Sequence, residues 1–171
     1  AQMRRVQFTS DMLPTDVSGL SIYDQDTHRF RFHRGPIFAN IVICDEVNRA
    51  TPRTQSALLE AMGEQAVTVD GHTYPLPDLF TVVATQNPHD MEGTFPLPEA
   101  QRDRFMTRIS LGYPSGKAEV AMLTSRGATD PADQVVPVAT VDEIVAAQTF
   151  VAGLRLPEEV ARYLVNIVAA T

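Results

Sequence analysis

The run Asn40-Ile41-Val42-Ile43-Cys44-Asp45-Glu46 constrains the fold more than any other stretch of this chain. Four consecutive apolar residues bounded by polar ones suit a strand covered on both faces, as in a parallel sheet flanked by helices. Two adjacent acids then stand at its carboxyl end. Ligands of open α/β sheets bind just beyond the carboxyl ends of the strands, which puts both carboxylates at the mouth of a site.

The surrounding chain repeats that logic. Phe80-Thr81-Val82-Val83-Ala84-Thr85-Gln86-Asn87-Pro88 is a second buried strand whose polar residues gather at its carboxyl end, so two strands point at one edge. Arg5 to Thr9 alternates and leads into Asp11-Met12-Leu13-Pro14, a short strand followed by a turn or helix start. Leu20 to Phe38 alternates around Asp24-Gln25-Asp26, with Phe30 and Phe32 on one face, which predicts a protruding hairpin. Val67 to Tyr74 has Asp70-Gly71 at its centre and predicts a second hairpin with a two-residue turn. Between them, Thr51 before Pro52 opens a helix whose Ala57, Leu58, Ala61 and Met62 form an apolar face, ending near Gly63 to Gln65. Pro96 and Pro98 punctuate a loop before Glu99 to Phe105, and Ile109 to Tyr113 is expected to add one more short strand.

After Pro114 only helices are expected: Lys117 to Arg126 stopped by Gly127, then two more beyond a polar connection through Pro137. Thr140 and Glu143 form a capping box ahead of Ile144, Ala147, Val151 and Leu154. Pro157 with Glu158 and Glu159 opens a helix bearing Val160, Leu164, Ile167 and Val168. A small helical domain therefore starts near residue 115. No internal repeat or low-complexity tract is present.

At 171 residues, one domain with a real core fits, or one domain with a small helical appendage. The 14 Lys and Arg residues against 21 Asp and Glu leave a net charge of −7, which reads against direct binding to a nucleic-acid backbone. The single cysteine, Cys44, lies inside the apolar run and reads as a buried, inert thiol suited to a reducing cytosol. No apolar run approaches the roughly 18 residues a membrane span needs. The expectation is a soluble protein of the cytoplasm.

Taken singly, the polar candidates admit two readings each. Asn87 carries a neutral amide that can orient water or touch a γ-phosphate, or it simply starts the turn before Pro88. Arg104 suits a developing phosphoryl charge, or it forms a surface ion pair with Asp103 or Glu99. Together they form a pattern. Asp45-Glu46-Val47-Asn48-Arg49-Ala50, Gln55 to Met62, Ala84-Thr85-Gln86-Asn87-Pro88 and Leu97-Pro98-Glu99-Ala100-Gln101-Arg102-Asp103-Arg104-Phe105 closely resemble, in that order, the MoxR family of AAA+ ATPases.

The resemblance runs from about Val6 into the helical tail, and the two hairpins look like insertions which that family carries. It implies that Ile41 to Glu46 is a Walker B strand, with Asp45 holding Mg²⁺ and Glu46 activating the attacking water. Asn87 is then sensor 1, and Arg104 the arginine finger that reaches a neighbouring subunit's nucleotide. Arg102 is the weaker alternative, because it lies one step outside the Asp-Arg-Phe triplet. The implied cofactors are ATP and Mg²⁺. The implied partners are further copies of the chain in a ring, with a hexamer expected, and protein clients remodelled or matured as by a chaperone, von Willebrand factor A domain proteins among the candidates.

The chain departs from that family in having no Gly-x4-Gly-Lys-Ser/Thr P-loop before its first strand. Gly112-Tyr113-Pro114-Ser115-Gly116-Lys117-Ala118 is a poor imitation: Pro114 lacks an amide donor and Ala118 replaces the hydroxyl that ligates Mg²⁺. The sensor 2 arginine of the family is also expected beyond Thr171. The expected fold is thus α/β: a P-loop NTPase-type (AAA+) parallel sheet core with two β-hairpin insertions, missing its P-loop strand, at residues 1–114, then a partial all-helical lid at 115–171. In such folds the P-loop strand lies between the sensor 1 strand and the last strand. Unpaired buried backbone groups are costly, so the gap is expected to close by direct pairing, strand exchange or a complementing fragment. ATP hydrolysis by these residues alone is expected to be negligible. The competing readings are a non-catalytic interaction module built on the hairpins or helical tail, and a related AAA+ clade such as the magnesium chelatase subunits.

Overall fold

In the computed structural model, residues 1–87, 93–124 and 134–170 are described. The turn expected at Pro88 and the helix stop expected at Arg126-Gly127 lie outside the described residues. The chain divides into two compact units, residues 1–136 and 137–171.

The first unit is organised by a parallel three-stranded sheet. β1 (Met3–Gln7), β4 (Ile41–Asp45) and β7 (Thr81–Ala84) pair in the order β1-β4-β7, with Gln7 opposite Asp45 and Cys44 opposite Ala84. β4 is central, as its apolar run demands: Val42 and Cys44 are fully buried. Between β1 and β4 the chain forms the short helix α1 (Pro14–Ser18), then β2 (Gly19–Asp24) and β3 (Arg29–Arg34), an antiparallel hairpin. Its tip is held by Asp24, whose Oδ1 accepts the N–H groups of Asp26 and Thr27 at 2.9 and 3.2 Å.

A short 3-10 turn, Val47–Arg49, follows β4 and leads to α2 (Pro52–Glu64). Thr51 caps α2 by accepting the Thr54 N–H at 3.4 Å, and Gln65 stops it in the left-handed region. Leu58, Leu59 and Ala61 face inward and pack with Phe8, Val17 and Ile37 into one core. Each large side chain buried there contributes roughly 1.5–3 kcal/mol.

β5 (Ala66–Val69) and β6 (His72–Pro75) form the second hairpin. Asp70 and Gly71 take φ of 51° and 75°, the double positive φ of a type I′ turn, which is why glycine stands at its second position. The two hairpins meet where Phe32 stacks on Tyr74 with ring centroids 4.2 Å apart.

After β7 come α3 (Glu99–Arg102) and α4 (Gly116–Thr124). The strand expected at Ile109 to Tyr113 does not form. Those residues pair with no described strand, and Ile109, Leu111 and Tyr113 are 80, 93 and 92 % exposed. A strand of this kind needs a neighbour, and among the described residues β7 is paired on its β4 side alone. Among the described residues no further strand pairs with β7, so the direct pairing expected as one remedy is not formed.

The second unit carries α5 (Val141–Ala152) and α6 (Glu158–Ala170). The Thr140–Glu143 capping box is complete: the Glu143 carboxylate accepts the Thr140 N–H at 2.7 Å, and the Glu143 N–H donates to the Thr140 hydroxyl at 3.2 Å. The apolar faces carrying Ile144, Val151, Leu164 and Ile167 remain open to solvent. No helix of the described residues is long and apolar enough to cross a membrane.

Candidate functional site

Parallel pairing brings the carboxyl ends of β1, β4 and β7 to one edge, and the polar residues of all three meet there. Asp45 ends β4 with its side chain 13 % exposed. Its Oδ2 accepts the Arg5 Nε–H at 2.5 Å and its Oδ1 accepts the Thr85 hydroxyl at 3.3 Å. Arg5 lies on β1 and Thr85 directly follows β7, so the acid is gripped from both neighbouring strands.

Glu46 is built differently. Its backbone is left-handed, with φ 53° and ψ 48°, a conformation that costs a non-glycine residue energy unless the surroundings hold it. They do so at several points: the Glu46 N–H donates to the Thr85 hydroxyl at 3.0 Å, the Val47 N–H to the Thr85 carbonyl at 3.0 Å, and the Arg49 N–H to the Glu46 carbonyl at 2.8 Å. The result turns the chain sharply out of the strand. The carboxylate then receives the Gln7 amide at 2.8 Å and the Arg49 guanidinium at 3.1 Å, both on Oε2. Asn48, buried in the turn, donates its amide to the Asn87 carbonyl at 3.4 Å. Asp45, Glu46 and the backbone of Asn87 are thus linked in one edge cluster.

Arg104 is anchored elsewhere. Its Nη1 donates to the Leu59 carbonyl of α2 at 2.7 Å, over Gly63, where an added Cβ would come within 2.6 Å of that nitrogen. Among the described residues the Arg102 guanidinium makes no hydrogen bond or ion pair. Neither arginine pairs with Asp103 or Glu99, so the surface ion pair considered for Arg104 is not formed.

Cys44, one residue before Asp45, is fully buried. Burial first, and the neighbouring Asp45 charge second, push its thiol up to about 12, which leaves it protonated and unreactive near neutrality.

The motif reading overlooked Arg5, Gln7, Thr85 and Arg49. Arg5 and Gln7 alternate onto one face of β1, so the pairing of β1 with the acidic strand is the signal that finds them. Thr85 lies inside the Ala84 to Pro88 motif, and its hydroxyl joins the Asp45 carboxylate to the Glu46 backbone N–H.

Among the described residues no group of three or more His, Cys, Asp or Glu side chains could hold a metal. The donors present fit Mg²⁺ all the same. Asp45 and the Thr85 hydroxyl are hard oxygens, and Mg²⁺ characteristically takes one or two carboxylates together with water and substrate phosphates.

Comparison with known proteins places the chain in a family. Residues 1–107 match the family described as ATPase family associated with various cellular activities (AAA). The chain is 48% identical over 171 residues to the uncharacterized protein YeaC of Bacillus subtilis, covering 100% of this chain and 53% of that protein. It is 42% identical over 167 residues to Chaperone MoxR1 of Mycobacterium tuberculosis, covering 98% of this chain and 44% of that one. Protein MoxR of Methylorubrum extorquens is 36% identical over 115 residues, 64% of this chain and 33% of its own length. A crystal structure of a candidate ATPase from Cytophaga hutchinsonii superposes with a TM-score of 0.85 at 39% identity, over 99% of this chain and 51% of that chain.

The chain belongs to the AAA ATPase family, and within it to the MoxR-like AAA+ members. It spans about half the length of the curated relatives it matches along its whole extent.

Proposed function

We propose that this chain supplies the hydrolytic half of an ATP-driven, ring-forming machine that remodels or matures protein clients, with residues 1–114 as its α/β core and 115–171 as part of its helical lid. The observation that carries the reading is the edge cluster: an acid pair at the end of a central parallel strand, Glu46 held by Gln7 and Arg49, and Asn87 tied to the same turn. The name of the Mycobacterium tuberculosis relative, a chaperone, supports the client class.

When bound, ATP with Mg²⁺ brings the phosphoryl group and neutralises its charge. Asp45 would hold the cation, with the Thr85 hydroxyl beside it. Glu46 accepts the proton of the attacking water, and its fixed left-handed backbone keeps the carboxylate aimed without reorganisation. Asn87 orients the water or the γ-phosphate. Arg104 meets the developing charge in a neighbouring subunit, which requires it to leave the Leu59 carbonyl. A ring, with six copies as our reading, sets such neighbours side by side. The buried thiol of Cys44 suits a cytoplasmic setting.

The test is ATP hydrolysis by the 171 residues and by a longer chain carrying an upstream P-loop. Negligible turnover in the first and Glu46-dependent turnover in the second are expected. Turnover by the short chain that vanishes in Glu46→Gln contradicts the expectation for these residues alone, and turnover by the longer chain that survives Glu46→Gln contradicts the proposal.

A second reading, a protein-interaction module, draws on a cleft of about 510 Å³ between the hairpins, lined by Phe30, Phe32, His72 and Tyr74. It predicts partner binding indifferent to nucleotide.

A further inference from the structure

Gln55 lies on the buried face of α2 with 1 % of its surface exposed. Its Nε2 donates toward three backbone carbonyls, Val47 at 3.2 Å, Ala50 at 3.0 Å and Phe95 at 2.8 Å. A primary amide has two hydrogens, so the three acceptors share them, and three converging carbonyls fix which end of the amide is nitrogen. Oε1 meets no donor among the described residues. A buried acceptor left unpaired is costly, and packing alone would be served better by an apolar side chain of the same length. The gain must lie in what the donor end holds.

Val47 and Ala50 bracket the turn that begins at Glu46. Phe95 belongs to the stretch that runs through buried Leu97 into α3 and Arg104. Its backbone is secured at both ends, by the Gln55 amide on its carbonyl and by the Asn48 carbonyl on its N–H at 2.6 Å. Asn48 also holds the Asn87 carbonyl. Arg104 itself docks on the carbonyl of Leu59, one turn further along the helix that carries Gln55. A single rigid element therefore touches the acidic turn and the arginine.

We infer that Gln55 is a positioning residue: acting through the Val47–Ala50 turn, it sets the aim of Glu46 and couples that aim to the segment bearing Arg104. The inference rests on the ATP-hydrolysing reading above. Gln55 reaches no substrate itself. A shift of about 1 Å in a catalytic group can cost a hundredfold in rate, so loosening this clamp affects turnover without changing what contacts the nucleotide.

The experiment uses the longer, P-loop-bearing protein. Gln55→Met keeps the length of the side chain and removes the donor. Gln55→Asn keeps the amide but falls one methylene short, and it serves as the second arm should the first variant fail to fold. Expected are a fall in kcat of about tenfold or more, a Kd for ATP within about twofold of the parent, and faster amide exchange at Val47 and Phe95 with β4 unchanged. An active parent with both variants at parental kcat, or with kcat and ATP affinity falling together, overturns the inference alone. A parent that hydrolyses no ATP overturns the reading beneath it.

Discussion

Gln7 donates its side-chain amide to the Glu46 carboxylate at 2.8 Å from the strand that runs beside it. Two residues earlier on the same face of β1, Arg5 does the same for Asp45. The first strand is thus a polar template for both acids, and its pairing register makes it so: Gln7 stands opposite Asp45. Replacing Gln7 by Leu leaves Glu46 with Arg49 as its remaining side-chain partner. In the P-loop-bearing protein we predict about a tenfold to a hundredfold loss of kcat with ATP affinity kept, read by steady-state kinetics beside nucleotide titration.

If Arg104 acts on a neighbour's nucleotide, its loss and the loss of Glu46 strike different sites of the same ring. Arg104→Ala and Glu46→Gln are each predicted to reduce turnover about a thousandfold. Mixing the two variants restores part of the activity, because some interfaces then combine an intact Glu46 with an intact Arg104. Mixtures no more active than their components count against a role in trans. Gly63→Ala, whose new methyl group crowds the docked guanidinium, is predicted to change turnover without changing ATP binding.

The Cys44 thiol, pushed up to about 12 by burial and by Asp45, is protonated near neutrality. Alkylation by iodoacetamide at pH 8 is predicted to be negligible in the folded chain and rapid in urea, as followed by mass spectrometry.

The Thr140 backbone N–H and hydroxyl hold the Glu143 carboxyl below its ordinary value of 4.5. A lowered folded value means that the cap supports α5 fully above the unfolded value and loses its effect as pH falls through the folded one. Helical circular dichroism is therefore predicted to decline as pH falls below the ordinary carboxyl value of 4.5. Glu143→Gln, whose side chain does not ionise, should flatten that part of the profile.

Much of this arrangement is legible before any coordinates. The apolar run into Asp45-Glu46, the Asp70-Gly71 turn, the Thr51-Pro52 helix start and the Thr140–Glu143 box are local signals, set by residues a few positions apart, and each forms as read. The strand expected at Ile109 to Tyr113 fails because strand formation is not local: its alternation is sound, but no neighbour pairs with it. The same distinction explains the site. Asp45 and Glu46 announce themselves in sequence, whereas Arg5 and Gln7 matter only because β1 lies beside β4, about 40 residues away in the chain. Gln55 was visible as part of a motif, but its grip on Val47, Ala50 and Phe95 depends on how α2 packs beneath the turn.

If Glu46 performs the hydrolytic step, its loss must stop turnover without weakening nucleotide binding. The direct measurement is ATP turnover and ATP affinity of the P-loop-bearing protein with and without Glu46→Gln, an exchange that preserves shape and removes the base. Turnover is expected to fall by about a thousandfold or more with ATP bound as tightly as before. Undiminished turnover in Glu46→Gln, in a protein that binds ATP normally, would contradict it.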